Sequence, residues 1–217
     1  SSPETAKNHI SLGTNAVVVR IFDADGNLVT SGAQSNQTVQ LSSQGAVSSG
    51  TTAVSASGGI ATFSNVVLTG LVGTKTLSAT IQLPTQISTS SAIELQPGNP
   101  YRLELTQAAS GFSNREVFVT APMVTVEDVS GNTVPTAGLD VRVKVSTASI
   151  SGSVTASAQT GVATFASNLV LRGTAGSHTL IYEAEGTSSS GVIKTPPSFL
   201  IDSMSSAGFP RSSTGIR

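Results

Sequence analysis

The sequence predicts an all-β protein made of two antiparallel β-sandwiches, and three observations lead to this. Helix-favouring Glu, Lys, Met and Arg are scarce, whereas Val, Thr and Ile recur in short alternating runs, as is typical of strands. Hydrophobic residues make up 38% of the chain and the mean hydropathy is +0.16, which is enough apolar surface for a core. The chain also repeats itself, with a unit of about 100 residues that suits one sandwich domain.

The duplication is visible as two matched pairs of segments. "FDADGNLV" and "GIATFSNVVLTGLVGTKTL" in the first half correspond to "EDVSGNTV" and "GVATFASNLVLRGTAGSHTL" in the second half. Each copy places an aspartate before a glycine and an asparagine, and this turn signature comprises Asp23, Gly26 and Asn27 in copy one and Asp128, Gly131 and Asn132 in copy two. Small insertions between the matched segments are what surface loops tolerate.

The two copies also agree on which side chains face inward. Apolar residues alternate with polar ones along each matched run, as expected for strands buried on one face. Phe63 and Phe165 occupy equivalent positions in these runs, and we expect both rings to lie near the centre of their sandwiches.

The copies define three segments. We predict a first domain at 1–96, a second at 97–202 and a polar C-terminal tail at 203–217. Pro97, Gly98 and Pro100 lie between two alternating strands, and because proline interrupts a central ladder, they mark the junction.

Copy one lacks a counterpart of the first strand of copy two. "YRLEL" begins at Tyr101, 27 residues before Asp128, whereas counting back as far from Asp23 passes the first residue. Two explanations are open. Either a longer array of domains was cut, or a neighbouring subunit donates the missing strand. The segment after Asp202 is a poor donor, since it shows little alternation and contains Pro210.

These motifs resemble the immunoglobulin-like repeats of invasin- and intimin-type bacterial surface adhesins. The resemblance is carried by "PGNPYRLELT", "VTVEDVSGNTV", "GVATF" and "LVLRGTAGSHTL" and by the matching parts of copy one. It implies tandem immunoglobulin-like sandwiches on a cell surface, in which most repeats are spacers and a terminal domain binds. It implies no catalytic residues.

Asp23–Asn27 is a weak candidate for a calcium loop. Asp23, Asp25 and Asn27 alternate, as oxygen ligands do in an EF-hand. However, glycine falls at the fourth position instead of the sixth, and Gln34 stands where a bidentate glutamate is required. Copy two keeps only the aspartate, glycine and asparagine, which favours a turn stabilised by the aspartate side chain. We therefore predict no metal and no cofactor.

Other candidate sites are weaker. We expect His178, which matches Lys75, to be a solvated residue at a strand end, and His9 has no partner at metal-ligand spacing. Glu183 and Glu185 could form a hydrolytic pair, but they alternate with apolar residues and are expected to face solvent. The chain has no tryptophan for sugar stacking. We predict that the protein is not an enzyme.

Charge and cysteine content narrow the function further. A net charge of −1 argues against nucleic-acid binding, and no apolar run approaches the roughly 20 residues needed to span a bilayer. Cysteine is absent, and Lys75 is the one charged residue between Asp25 and Glu94, which favours an extracellular location.

We predict a structural or adhesive module whose partners are neighbouring immunoglobulin-like domains of the same or another subunit, with a host or matrix ligand left open. The alternative is a module that binds glycan or protein through loops at one end of a sandwich.

Overall fold

The computed structural model describes residues 1–14, 16–82, 86–111, 113–135, 139–176, 178–185 and 202–204. The chain divides into two compact units. Unit 1 comprises residues 1–99 together with 129–132, and unit 2 comprises residues 100–128 and those from 133 onward. The division after residue 99 falls inside the Pro97–Pro100 segment that the sequence marks as a junction.

The described residues of unit 1 form nine strands and one short 3-10 helix at Ala33–Asn36. Strands β1, β9, β8, β3 and β5 form one sheet in that order, β2 pairs with β6, and β4 pairs with β7. The strands are β1 (Thr5–Lys7), β2 (Val17–Arg20), β3 (Thr38–Gln44), β4 (Val47–Ser49), β5 (Ala53–Ser55), β6 (Ile60–Phe63), β7 (Val67–Thr69), β8 (Gly73–Ile81) and β9 (Ile87–Gln96).

Unit 2 also contains nine strands among its described residues. Seven form a sheet in the order β10, β11, β15, β14, β12, β17 and β18, and β13 pairs with β16. The strands are β10 (Arg102–Gln107), β11 (Met123–Glu127), β12 (Asp140–Val145), β13 (Ser149–Ser151), β14 (Thr155–Gln159), β15 (Val162–Thr164), β16 (Val170–Arg172), β17 (His178–Glu185) and β18 (Asp202–Met204).

The strand registers repeat between the units. Val19 lies opposite Ala61 in the β2–β6 pair, and at the matching place Val124 lies opposite Ala163 in β11–β15. The same correspondence holds for β3–β8 and β12–β17, which pair antiparallel over six residues each. A shift of one residue would turn every buried side chain outward, so the common register explains why the same positions are apolar in both copies.

Each unit has its own core. In unit 1 the buried apolar side chains are Ala6, Val17, Ile21, Val39, Leu41, Ala56, Ala61, Phe63, Val66, Leu68, Leu77, Ala79, Ile81, Ile93 and Leu95. In unit 2 they are Ala109, Phe118, Val124, Val126, Val134, Leu139, Val141, Val143, Ala156, Ala158, Ala163, Phe165, Leu169, Leu171, Leu180 and Tyr182. The prediction of an all-β, immunoglobulin-like sandwich fold is confirmed.

Two details differ from the sequence-based expectations. Strand β1 pairs in parallel with β9, opposite residues 94–96, whereas every pairing was expected to be antiparallel. This segment buries Ala6 in the core of unit 1. Strand β18 pairs with β17 and extends to Met204, so the first residues assigned to the polar tail belong to a sheet. The remainder of that tail, 205–217, lies outside the described residues.

Candidate functional site: an open sheet edge in unit 1

The Asp23–Asn27 segment is a turn organised by the carboxylate of Asp23. Its Oδ1 accepts hydrogen bonds from the N–H groups of Asp25 at 3.0 Å and Asn27 at 2.8 Å, and its Oδ2 accepts one from the Asn27 side chain at 3.2 Å. Gly26 takes a positive φ of 85°, which glycine adopts at little cost. The hydrogen bond from the Asn27 N–H, followed by the others, holds the pKa of Asp23 below its ordinary value.

The same carboxylate oxygens would have to serve any ion in this loop. Within the described ranges, no group of three or more His, Cys, Asp or Glu side chains is placed to hold a metal. The Asp23 carboxylate therefore has a structural task in the turn.

In copy two, the matching residues are used differently. Gly131 has the same positive φ, 83°, but Asp128 and Asn132 are buried, while Asn27 is exposed. Residues 129–132 belong to unit 1. There the Asn132 side chain accepts a hydrogen bond from the Val72 N–H and donates one to the carbonyl of Gly70, both at 2.9 Å. The sequence did not predict this difference, because Asn27 and Asn132 occupy the same place in the turn signature.

The expectation that His178 is solvated is wrong. Its side chain is 5% exposed, with Nδ1 2.8 Å from Thr147 Oγ1 and Nε2 2.9 Å from the carbonyl oxygen of Thr174. Because a carbonyl oxygen only accepts hydrogen bonds, Nε2 is the donor to Thr174. His178 is thus a structural residue whose ring nitrogens are both hydrogen-bonded. The prediction failed because it was based on the matching residue Lys75.

One of the two carboxylates considered as a hydrolytic pair has a structural partner. Glu183 forms an ion pair with Lys144, which lies on the neighbouring strand β12, and the side chain of Glu185 lies outside the described residues. Glu127 forms an ion pair of 2.7 Å with Arg102. These are cross-strand charge pairs that support the sheet.

The feature that sets the two units apart is the edge of β2. In unit 2, β11 lies between β10 and β15 and pairs with both. In unit 1, β2 pairs with β6 on one side, and on the other side the described residues contribute only Ser1. The Val18 N–H donates to the Ser1 carbonyl at 2.8 Å, and the Ser1 amine donates to the Val18 carbonyl at 2.6 Å. Ser1 thereby takes the place that Gln107, the last residue of β10, holds opposite Met123.

A groove lies along this edge. It consists of two adjoining cavities of about 260 Å³ and 200 Å³. Their walls are mainly apolar and come from β2, β3, β8 and β9, with Val17, Val19, Leu41, Leu77, Ala79 and Ile87 among the lining residues. Arg20 and the hydroxyl groups of residues 88–91 also line the cavities.

Residues of β2 are more exposed than the matching residues of β11. Val124 is fully buried in unit 2, whereas its counterpart Val19 is half-buried in unit 1. Thr125 is 6% exposed, whereas its counterpart Arg20 is exposed. Phe22, which follows β2, is 55% exposed. Strand β10 covers this region in unit 2, whereas no described strand lies at the matching place in unit 1.

No protein-family description and no curated protein sequence matches this chain. Among solved structures, it is similar to invasin, a bacterial integrin-binding protein, with 14% identity, a TM-score of 0.35, and coverage of 88% of this chain and 36% of invasin. It is also similar to the D0–D1 domain of intimin, with 15% identity, a TM-score of 0.28, and coverage of 82% and 86%. A β-glucuronidase of Parabacteroides merdae has 16% identity, a TM-score of 0.29, and coverage of 70% and 20%. Likenesses at these scores assign no function.

The described part of the chain contains no helix with the length and apolar character needed to span a membrane.

Proposed function

We propose that this chain is a non-enzymatic structural or adhesive module, in which two immunoglobulin-like sandwiches act as a stalk or assembly unit of a cell-surface protein or filament. The observation that carries the proposal is the repetition of one design in the two units. They share one strand register and one core pattern, and domains repeated in tandem are a way to build a stalk.

The placement of the ionisable groups supports the non-enzymatic part. Glu127 and Glu183 are engaged by Arg102 and Lys144 on neighbouring strands, and His178 is held between two threonines. Each group is therefore occupied by a contact that stabilises the sheet.

Surface composition supports the extracellular part. Lys75 is the one charged residue between Asp25 and Glu94, so the surface of unit 1 is made mainly of hydroxyls, amides and glycine. A protein that works inside the crowded cell usually carries more charge for solubility.

Single-molecule force spectroscopy tests the role as a stalk. With the full chain held at its two ends, we expect two separate unfolding events, because each unit has its own core. Each event should release roughly 300 Å of chain, since about 100 residues extend by up to 3.6 Å each. The variant Phe165→Ala should lower the force of one event and leave the other unchanged. A single cooperative event, or equal weakening of both, would contradict the proposal.

A further inference from the structure

The first and the last of the nine described strands of unit 1, β1 and β9, lie side by side. They run parallel, with Thr5 opposite Glu94. Every other strand pairing among the described residues is antiparallel. Strand β9 then leads into the Pro97–Pro100 junction, so the parallel pair joins the two places where the chain enters and leaves the sandwich.

This placement decides how the unit carries tension. Pulling on the chain draws β1 toward its own N-terminal end and β9 toward its own C-terminal end. Because the two strands are parallel, these forces are opposed and act along the strands, so the evenly spaced hydrogen bonds between them are loaded together. We propose that the pairing of residues 5–7 with residues 94–96 is a mechanical clamp, the contact that must break before tension unfolds unit 1. The inference rests on the proposed role as a stalk and deepens it.

The clamp is held by a short ladder of backbone hydrogen bonds. At one end the Glu94 N–H donates to the Glu4 carbonyl, and at the other end the Asn8 N–H donates to the Gln96 carbonyl, both at 2.9 Å. Between them, the parallel register directs the N–H of Ala6 to Glu94 and its carbonyl to Gln96, as the pattern of a parallel ladder requires. Ala6 is therefore the central residue of the clamp.

The clamp is also fixed to the body of the sandwich. Ala6 and Asn8 are both buried. The Asn8 Oδ1 accepts a hydrogen bond from the Gly70 N–H at 2.9 Å, and the next residue, His9, donates its N–H to the Leu68 carbonyl at 2.9 Å. Burial strengthens hydrogen bonds and keeps water from replacing them. The end of β1 is thus anchored, and tension is passed to the ladder without freeing the strand.

The described residues of unit 2 do not repeat this arrangement. Its first described strand, β10, pairs antiparallel with β11, and β18 pairs antiparallel with β17. A change in the clamp should therefore alter the unfolding of unit 1 alone, and unit 2 serves as the internal reference when the full chain is pulled at its two ends.

The direction of pulling tests the clamp directly. The chain has no cysteine, so introduced cysteines fix the points at which force is applied, and Glu4, Ala92 and Asn99 are all exposed. The full-chain variant Glu4→Cys/Asn99→Cys is pulled along the two strands. In Glu4→Cys/Ala92→Cys the pull acts across them, because Ala92 precedes the partner of Thr5 by two residues, and β1 is lifted from β9 one hydrogen bond at a time.

We expect the first rupture in the lengthwise pull to need at least about twofold more force than in the crosswise pull, since rupture force reports the barrier to unfolding in that direction. Equal forces in the two directions would overturn the proposal. This comparison leaves the clamp residues unchanged, so it decides the matter even where a clamp variant fails to fold.

A proline at Ala6 tests the ladder itself. Ala6→Pro removes the N–H that faces Glu94, and it should lower the lengthwise force by about half or more. The crosswise force should stay the same, because that pull breaks the bonds singly. Thr5→Pro is the matched control, since the Thr5 N–H points away from β9, and it should change the lengthwise force little. An equal loss in both directions, or an equal loss in the control, would mean general destabilisation and would overturn the clamp.

The two claims fail separately. Two unfolding events without any dependence on direction would leave the stalk standing and remove the clamp. A single unfolding event from the chain ends would remove the stalk, whatever the direction of pulling within unit 1 shows.

Discussion

Gly50 lies directly against the backbone carbonyl of Asn65: a β-carbon on this glycine would be 1.9 Å from the carbonyl oxygen. Gly152 repeats the contact in unit 2, where a β-carbon would lie 2.2 Å from the carbonyl oxygen of Asn168. Both glycines also have positive φ angles, 85° and 99°. The close approach is therefore a property of the repeat.

Substitutions at Gly50 and Gly26 separate the cost of a positive φ from the cost of the close contact with a carbonyl. Gly26 has the same φ of 85° but open space where a β-carbon would be. We expect Gly26→Ala to cost about 1–2 kcal/mol for the left-handed conformation alone, and Gly50→Ala to cost more because the carbonyl must also move. Urea denaturation of the two variants measures the difference. Equal losses would mean that the contact with Asn65 is unimportant.

The aromatic side chains of the two cores give a second prediction. Phe63 is 0% exposed and Phe165 is 2% exposed, so replacement of either by alanine should destabilise its own unit by about 3–5 kcal/mol. Phe22, which is mostly exposed, serves as the control, and Phe22→Ala should cost less than about 1 kcal/mol. A loss below 1 kcal/mol at either core position would break the alignment of the two copies.

The turn at Asp23 predicts a pH dependence. Hydrogen bonds from Asn27 and its neighbours lower the pKa of Asp23 below the ordinary 3.8, so the folded state favours the ionised carboxylate. Its contribution to stability is present above the unfolded value and is lost as the pH falls through the lower folded value. Asp23→Ala should therefore be less stable than the wild type at neutral pH, with the difference vanishing in acid. A difference that stays constant through that range would exclude the carboxylate as its cause.

The same loop yields a prediction about metal. Because the Asp23 oxygens accept three hydrogen bonds within the turn, calcium and chelator should leave the melting temperature unchanged. Asp25→Ser, which copies the residue at the matching place in copy two, is the control. A rise in melting temperature with calcium that disappears in Asp25→Ser would establish a site.

His178 gives a prediction that the sequence alone did not suggest. Removing a buried, hydrogen-bonded side chain leaves its partners unsatisfied, so His178→Ala should destabilise unit 2 by about 1–3 kcal/mol. The matching variant Lys75→Ala in unit 1 should change stability by about 0.5 kcal/mol or less. Comparable losses in the two variants would show that the hydrogen bonds of His178 contribute little.

Much of the fold was predictable because the chain carries two versions of it. Alternation shared by both copies located the inward residues, such as Phe63 and Phe165, and the turn signature located Gly26 and Gly131. The exceptions have physical causes. His178 is buried through contacts with Thr147 and Thr174 that copy one does not share. A sequence pattern common to both copies cannot predict contacts that only one copy makes.

The candidate site was predictable in outline only. The count of residues before Asp23 predicted that the given residues contain no counterpart of β10 in copy one. That count did not show that β1 would pair in parallel with β9, nor that Ser1 would bond to Val18 and leave Arg20 at the open edge. These features depend on how the N-terminal segment folds back, which alternation does not encode.

Amide hydrogen exchange at Arg20 and Thr125 tests the central claim, that unit 1 is open at β2 where unit 2 is closed at β11. The two residues hold equivalent positions, and both direct their N–H groups away from the inner partner strand. The account predicts rapid exchange at Arg20, whose edge is open, and strong protection at Thr125, which β10 covers. Protection of Arg20 equal to that of Thr125 would contradict it.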